Sequence, residues 1–154
     1  MSVTPVKQAL LPRRAFLAAG LSAVLAGAAT SLAVFGGLSE TDGDSFQFSR
    51  GLSLANGEGE RLRGFLSGAL ADERIHVTIL GHTGDAGDAS ANVTLSEARA
   101  DLARQMAVDL GLPTDRITAR GIGGASPLPK EDGESDRAYQ SRLARVEVSL
   151  QMRR

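Results

Sequence analysis

The 154-residue chain has no cysteine and no tryptophan, and its only aromatic residues are Tyr139 and five phenylalanines. Without cysteine there are no disulfides, no thiolate metal centre, no cysteine nucleophile and no lipid-modified N-terminal cysteine. With so few aromatics a core has to be built from Leu, Val, Ile and Ala, which a hydrophobic content of 42% supplies. Excess charge is also missing, since the formal net charge is -1. Lys7, Arg13 and Arg14 are the only charges before residue 36, so the body of the chain is mildly acidic and lacks the basic stripe of a nucleic-acid binder. No G-x-S-x-G, H-E-x-x-H or G-x-x-x-x-G-K-[ST] occurs, and Ser126 stands where a dinucleotide fingerprint starting at Gly121 needs its third glycine. His76 and His82 have no clustered partners of the kind a metal site uses. These gaps favour a binding protein over an enzyme and imply no cofactor and no metal.

The longest uncharged run is Ala15 to Ser39, preceded by two arginines and followed by Glu40, Asp42 and Asp44. A run of that length can span a bilayer, and basic residues before it orient the N-terminus towards the cytoplasm. The expected organisation is a cytoplasmic flank at 1–14, a transmembrane anchor or signal segment at 15–39, a linker at 40–45 and a folded domain at 46–154. Ala26-Gly27-Ala28 offers a small-residue cleavage site, whereas Leu32 to Phe35 extend the apolar run past it. Anchor and cleaved signal both remain open. Arg13-Arg14-Ala15-Phe16-Leu17 resembles a twin-arginine export signal and equally serves as an ordinary basic flank. Either way the domain is expected in the cell envelope: periplasmic and held at the inner membrane, or released to the periplasm or outer membrane.

Within the exported part, Phe46-Gln47-Phe48 alternates as a strand, and Leu62, Phe65, Leu66 and Leu70 recur at helical spacing. Ile75, Val77 and Ile79 alternate in the clearest strand of the chain. Thr94-Leu95-Ser96-Glu97 matches a capping box and predicts a helix start there, with its end at Gly111 before Pro113. Short strands are predicted over 116–120 and 145–150. The order β-α-β-α-β-β implies an α+β two-layer sandwich, with both helices on one face of a single sheet. Gly121 to Ala138 reads as a long exposed connection, with a helical turn leading into Tyr139.

Several motifs occur in order: Gly81-His82-Thr83, Gly87, Asn92-Val93-Thr94-Leu95-Ser96-Glu97-Ala98-Arg99-Ala100, Gly111-Leu112-Pro113-Thr114-Asp115-Arg116-Ile117, Gly121-Ile122-Gly123 with Pro127, and Arg145-Val146-Glu147-Val148. Together they resemble the OmpA-like family, over about two thirds of the chain. The resemblance implies a domain that associates with peptidoglycan by holding its diaminopimelate, an aspartate taking the ammonium and a helix arginine the carboxylate. That arginine corresponds to Arg99, whose planar guanidinium suits a carboxylate. The aspartate position is Gly84, which leaves Asp85 as the nearest carboxylate, with Asn92 and Thr83 completing the expected site. Each has a plainer role open to it. Arg99 can pair with an internal carboxylate or snorkel to water, Asp85 can be a solvated loop acid, and Asn92 can cap the loop. Arg145 is expected to form a structural ion pair. The implied partners are peptidoglycan, a membrane and, as a further possibility, a membrane protein complex. The alternative function is an interaction protein that keeps the fold, has lost wall binding with Gly84 as its mark, and docks to such a complex.

Overall fold

The computed structural model of the chain describes residues 41–153, so the flank at 1–14 and the apolar segment at 15–39, with its anchor and export readings, lie outside the described residues. The elements are β1 (Thr41–Arg50), β2 (Ser53–Leu54), α1 (Glu58–Ser67), β3 (Ile75–Gly81), α2 (Ala89–Asp109), β4 (Ile117–Gly121), α3 (Asp136–Leu143) and β5 (Arg145–Met152). They form a mixed five-stranded sheet in the order β2-β1-β5-β3-β4. β3 and β4 run parallel, and the other described pairs are antiparallel.

Alternation decides which face is apolar. In β3 every second residue from Ile75 to Gly81 is buried, and in β5 Val146, Val148 and Leu150 point the same way. Phe46 and Phe48 of β1 join them, and this face packs against Leu62 and Leu66 of α1 and Ala100, Ala103 and Ala107 of α2. The alanines matter because small side chains let a helix approach a sheet closely.

The sequence reading needs four corrections. Five strands and three helices are present among the described residues rather than four and two, the additions being the two-residue β2 and α3. β1 begins at Thr41, inside the stretch read as a linker. Residues 41–47 pair with β5 backbone to backbone, which asks no hydrophobic pattern of their side chains. α2 begins at Ala89, not at Thr94, because Asp88 is the cap and its Oδ1 accepts from the Ala91 amide at 2.7 Å. Thr94 instead donates back to the Ser90 carbonyl from within the helix. Leu70 is exposed, because α1 stops at Ser67 and the following 3-10 turn puts Ala69 inward in its place. The helix end at Gly111 is as expected. Its φ of +97° lets its own N–H reach the Val108 carbonyl and that of Leu112 reach Ala107, the bond pair of a Schellman end.

Candidate ligand-binding site

The site gathers where β3 ends, and a direct backbone contact positions it. Gly81 and Gly121 are register partners on β3 and β4, and both lie against the backbone of α2. A Cβ on Gly81 would collide with the Ser96 carbonyl, and one on Gly121 with the Glu97 amide nitrogen. Ser96 locks the junction: its buried hydroxyl donates to Val93 O at 2.7 Å and accepts from the Gly123 amide at 2.8 Å. One turn further along α2 comes Arg99.

Arg99 is only 4% exposed. Its Nε donates to Gly51 O at 2.9 Å, in the turn between β1 and β2, and its Nη1 donates to His82 O at 2.8 Å. The guanidinium carbon sits 4.8 Å from the centre of the Phe48 ring, a cation–π arrangement. Among the described residues no carboxylate lies within ion-pair distance of it, and Nη2 donates to no acceptor. Burial therefore pulls its pKa below the ordinary arginine value, with no anion to restore it. The internal carboxylate is absent among the described residues, while Nη2 is not among the polar atoms sealed from solvent without a partner. Arg99 is a buried cation tied to two backbone carbonyls.

The loop after His82 carries the other expected residues. Thr83 is buried, with its amide donating to Gly123 O at 3.0 Å and its hydroxyl to Gly84 O at 3.1 Å. Asn92 donates from Nδ2 to Ala86 O at 3.0 Å, so it braces the loop. Asp85 is exposed, and its Oδ1 accepts at 2.5 Å from Nε2 of Gln140, a residue of α3 that the sequence reading did not single out. Gly84 is not in the left-handed region, so no unusual dihedral accounts for the glycine there. The hydrogen bond from Arg99 to His82 O fixes the guanidinium to the backbone three residues before Asp85.

Beside this loop lies a second buried group. His82 is 2% exposed, and neither ring nitrogen makes a hydrogen bond among the described residues. Its Nε2 stands 3.5 Å from Glu147 Oε2, while Glu147 Oε1 is held by Arg145 at 2.7 Å. Burial, reinforced by the Arg145 charge, lowers the His82 pKa, and Glu147 opposes the shift. Arg145 is also spent on the Leu143 and Ser126 carbonyls, so it belongs to the scaffold.

A mixed five-stranded sheet with α1 and α2 packed on one face is the architecture of an OmpA-like domain. Residues 53–141 match the OmpA family, and the chain belongs to it. Outer membrane protein A of Yersinia pseudotuberculosis serotype I (strain IP32953) is 44% identical over 52 residues, 34% of this chain and 15% of that one. The match thus spans about a seventh of that relative. Among solved structures, the peptidoglycan-associated lipoprotein from Burkholderia pseudomallei superposes with a TM-score of 0.60 at 21% identity, covering 70% of this chain and 89% of that one. The periplasmic domain of Helicobacter pylori MotB superposes with a TM-score of 0.59 at 12% identity, covering 77% and 78%. At these identities the likeness is one of fold.

Proposed function

We propose that this protein is a non-catalytic component of the cell envelope whose domain holds peptidoglycan by its diaminopimelate side chain and so tethers the wall to a membrane or to a membrane protein complex. The observation that carries the reading is Arg99, a buried guanidinium with no anion of its own among the described residues. A buried charge without a counterion is costly, and a ligand carboxylate meeting Nη2 would offset that cost. Asp85 would take the ligand's ammonium, while Thr83 and Asn92 hold the loop that presents it. The solved relative named for its association with peptidoglycan has the same fold, which supports the reading without assigning the ligand. In this reading the 15–39 segment places the domain in the periplasm, as an inner-membrane anchor or as a cleaved signal.

Calorimetric titration of the full-length protein in detergent with a diaminopimelate-containing muropeptide tests this. A charge-assisted hydrogen bond contributes about 1.5 to 3 kcal/mol, so Arg99→Ala is expected to weaken binding by about ten- to a hundredfold. If the parent gives no heat and does not sediment with purified sacculi, the protein has lost wall binding. The fold would then serve docking to a membrane complex.

A further inference from the structure

Gly84 stands where the family resemblance expects a carboxylate, and a side chain from elsewhere in the chain occupies the space beside it. Its backbone does not require glycine, since its φ is outside the left-handed region. No backbone atom crowds it either. The three nearest atoms that a Cβ here would meet all belong to Gln140, whose Oε1 and Cδ, the movable end of the side chain, occupy the space beside residue 84. The same Gln140 donates to Asp85 at 2.5 Å. One side chain, arriving from 55 residues away, therefore fills the space beside residue 84 and engages the acid at 85.

Gln140 is well held for this task. Ser135 caps α3 by accepting from the Ala138 amide, and Leu143 at its far end is fully buried. Tyr139 donates to Leu128 O at 3.0 Å, and Arg142, two residues after Gln140, pairs with Glu134 at 2.8 Å, so α3 is fastened to the preceding loop before and after Gln140. The loop it meets is fixed too, because Gly124 lies so close that a Cβ there would come within 2.6 Å of Gly84 O and 2.8 Å of Asp85 Cα.

Resting on the function proposed above, we infer that Gln140 is a specificity-determining residue of this site, forming with Asp85 a carboxamide–carboxylate pair that receives the ligand's ammonium in place of a side chain at residue 84. With one of its two Nε2 hydrogens given to Oδ1, the pair keeps two acceptors without a donor among the described residues, Asp85 Oδ2 and Gln140 Oε1, one further N–H and a single negative charge. An alkylammonium has three N–H donors and one positive charge, so it matches this pair, whereas an amide or a second carboxylate does not. Arg99 binds the carboxylate, so the ligand class is a free amino-acid head group carrying both charges.

Titration of the full-length protein with a diaminopimelate-containing muropeptide, and with the same peptide N-acetylated on its free diaminopimelate amine, tests the inference. Gln140→Ala should weaken binding of the free-amine peptide by about tenfold, the effect of one hydrogen bond to a charged group. Asp85→Asn should weaken it at least as much, and the double variant should be no worse than Asp85→Asn, because the two act as a unit. The acetylated peptide should bind the parent at least tenfold more weakly. Gly84→Asp should lower affinity when Gln140 is present and restore it to the parent level in Gly84→Asp/Gln140→Ala. Should the parent bind while Gln140→Ala changes nothing, or should Gly84→Asp behave identically with and without Gln140, this inference falls and the proposed function stands. Silence from the parent towards both peptides removes the proposed function and this inference together.

Discussion

Two arginines brace opposite ends of β3, a seven-residue strand about 20 Å long, and they are used differently. At the start of the strand, Arg116 donates to three backbone carbonyls: Ile75 at 2.8 Å, Ala69 at 2.5 Å and Asp72 at 2.9 Å. It is half-buried, and its charge helps to hold down the pKa of the Asp72 carboxyl, so an anion is near. At the other end, Arg99 reaches only two carbonyls, is more deeply buried, and has no anion. One arginine closes a structure, and the other leaves a charge waiting. Both belong to family motifs in the sequence, and the distinction between them rests on partners 17 to 48 residues away.

The largest effect should separate the two ends in stability. Arg116→Ala strands three carbonyls and is expected to cost about 3 kcal/mol in urea unfolding, whereas Arg99→Ala also removes an unpaired buried cation and should cost about 1 to 2 kcal/mol. The contrast breaks if Arg99→Ala is the more destabilising of the two.

A smaller effect belongs to the Arg99 end alone. The folded His82 has a lowered pKa, with burial the main cause and the Arg145 charge the second, so an unfolded histidine takes up its proton first as pH falls. Stability from this group is fully present above about pH 6.5 and declines as the pH drops below that towards the folded pKa. Chemical-denaturation midpoints followed from pH 7.5 to 5 should fall for the parent and run flatter for His82→Gln. Equal slopes in the two proteins would show that His82 is not the group responsible.

The smallest effects come from one ion pair at each end. Hydrogen bonding to Arg74 lowers the Asp72 pKa from 3.8 to about 2, and hydrogen bonding to Arg142 lowers that of Glu134 from 4.5 to about 2. Depressed carboxylates contribute stability above their unfolded pKa and lose it as pH falls through the folded value, so both act between about pH 4.5 and 2. Asp72→Asn and Glu134→Gln should each remove a modest part of the acid-limb slope in melting temperature. The loss with Glu134→Gln should come with faster amide exchange over 131–142, since that carboxylate fastens α3 to its loop.

How much of this was visible in the sequence depended on how local the cause was. β3 and β5 were legible because one face is buried and the side-chain period is two. The Gly111 end of α2 was legible because a Schellman turn is written in adjacent residues. The start of α2 was misplaced because Thr94 to Glu97 satisfies the capping pattern as well as Asp88 does, and only packing chooses between them. β2 escaped notice since two residues carry no period. Arg99 was picked out through the family motif, but its bonds to Gly51 and His82 were not. Gln140 was missed entirely, because its contacts with Gly84 and with Asp85, the latter 55 residues away in sequence, form only when α3 docks.

The sheet order also has a consequence in time. β5, the last described strand in the chain, lies between β1 and β3, which share no ladder of their own. Without residues 145–152, β1 with β2 and β3 with β4 share no backbone ladder and could be joined only through the helices that pack on them. Closure is then late, non-local and all at once, which makes folding slow relative to helical domains of this size.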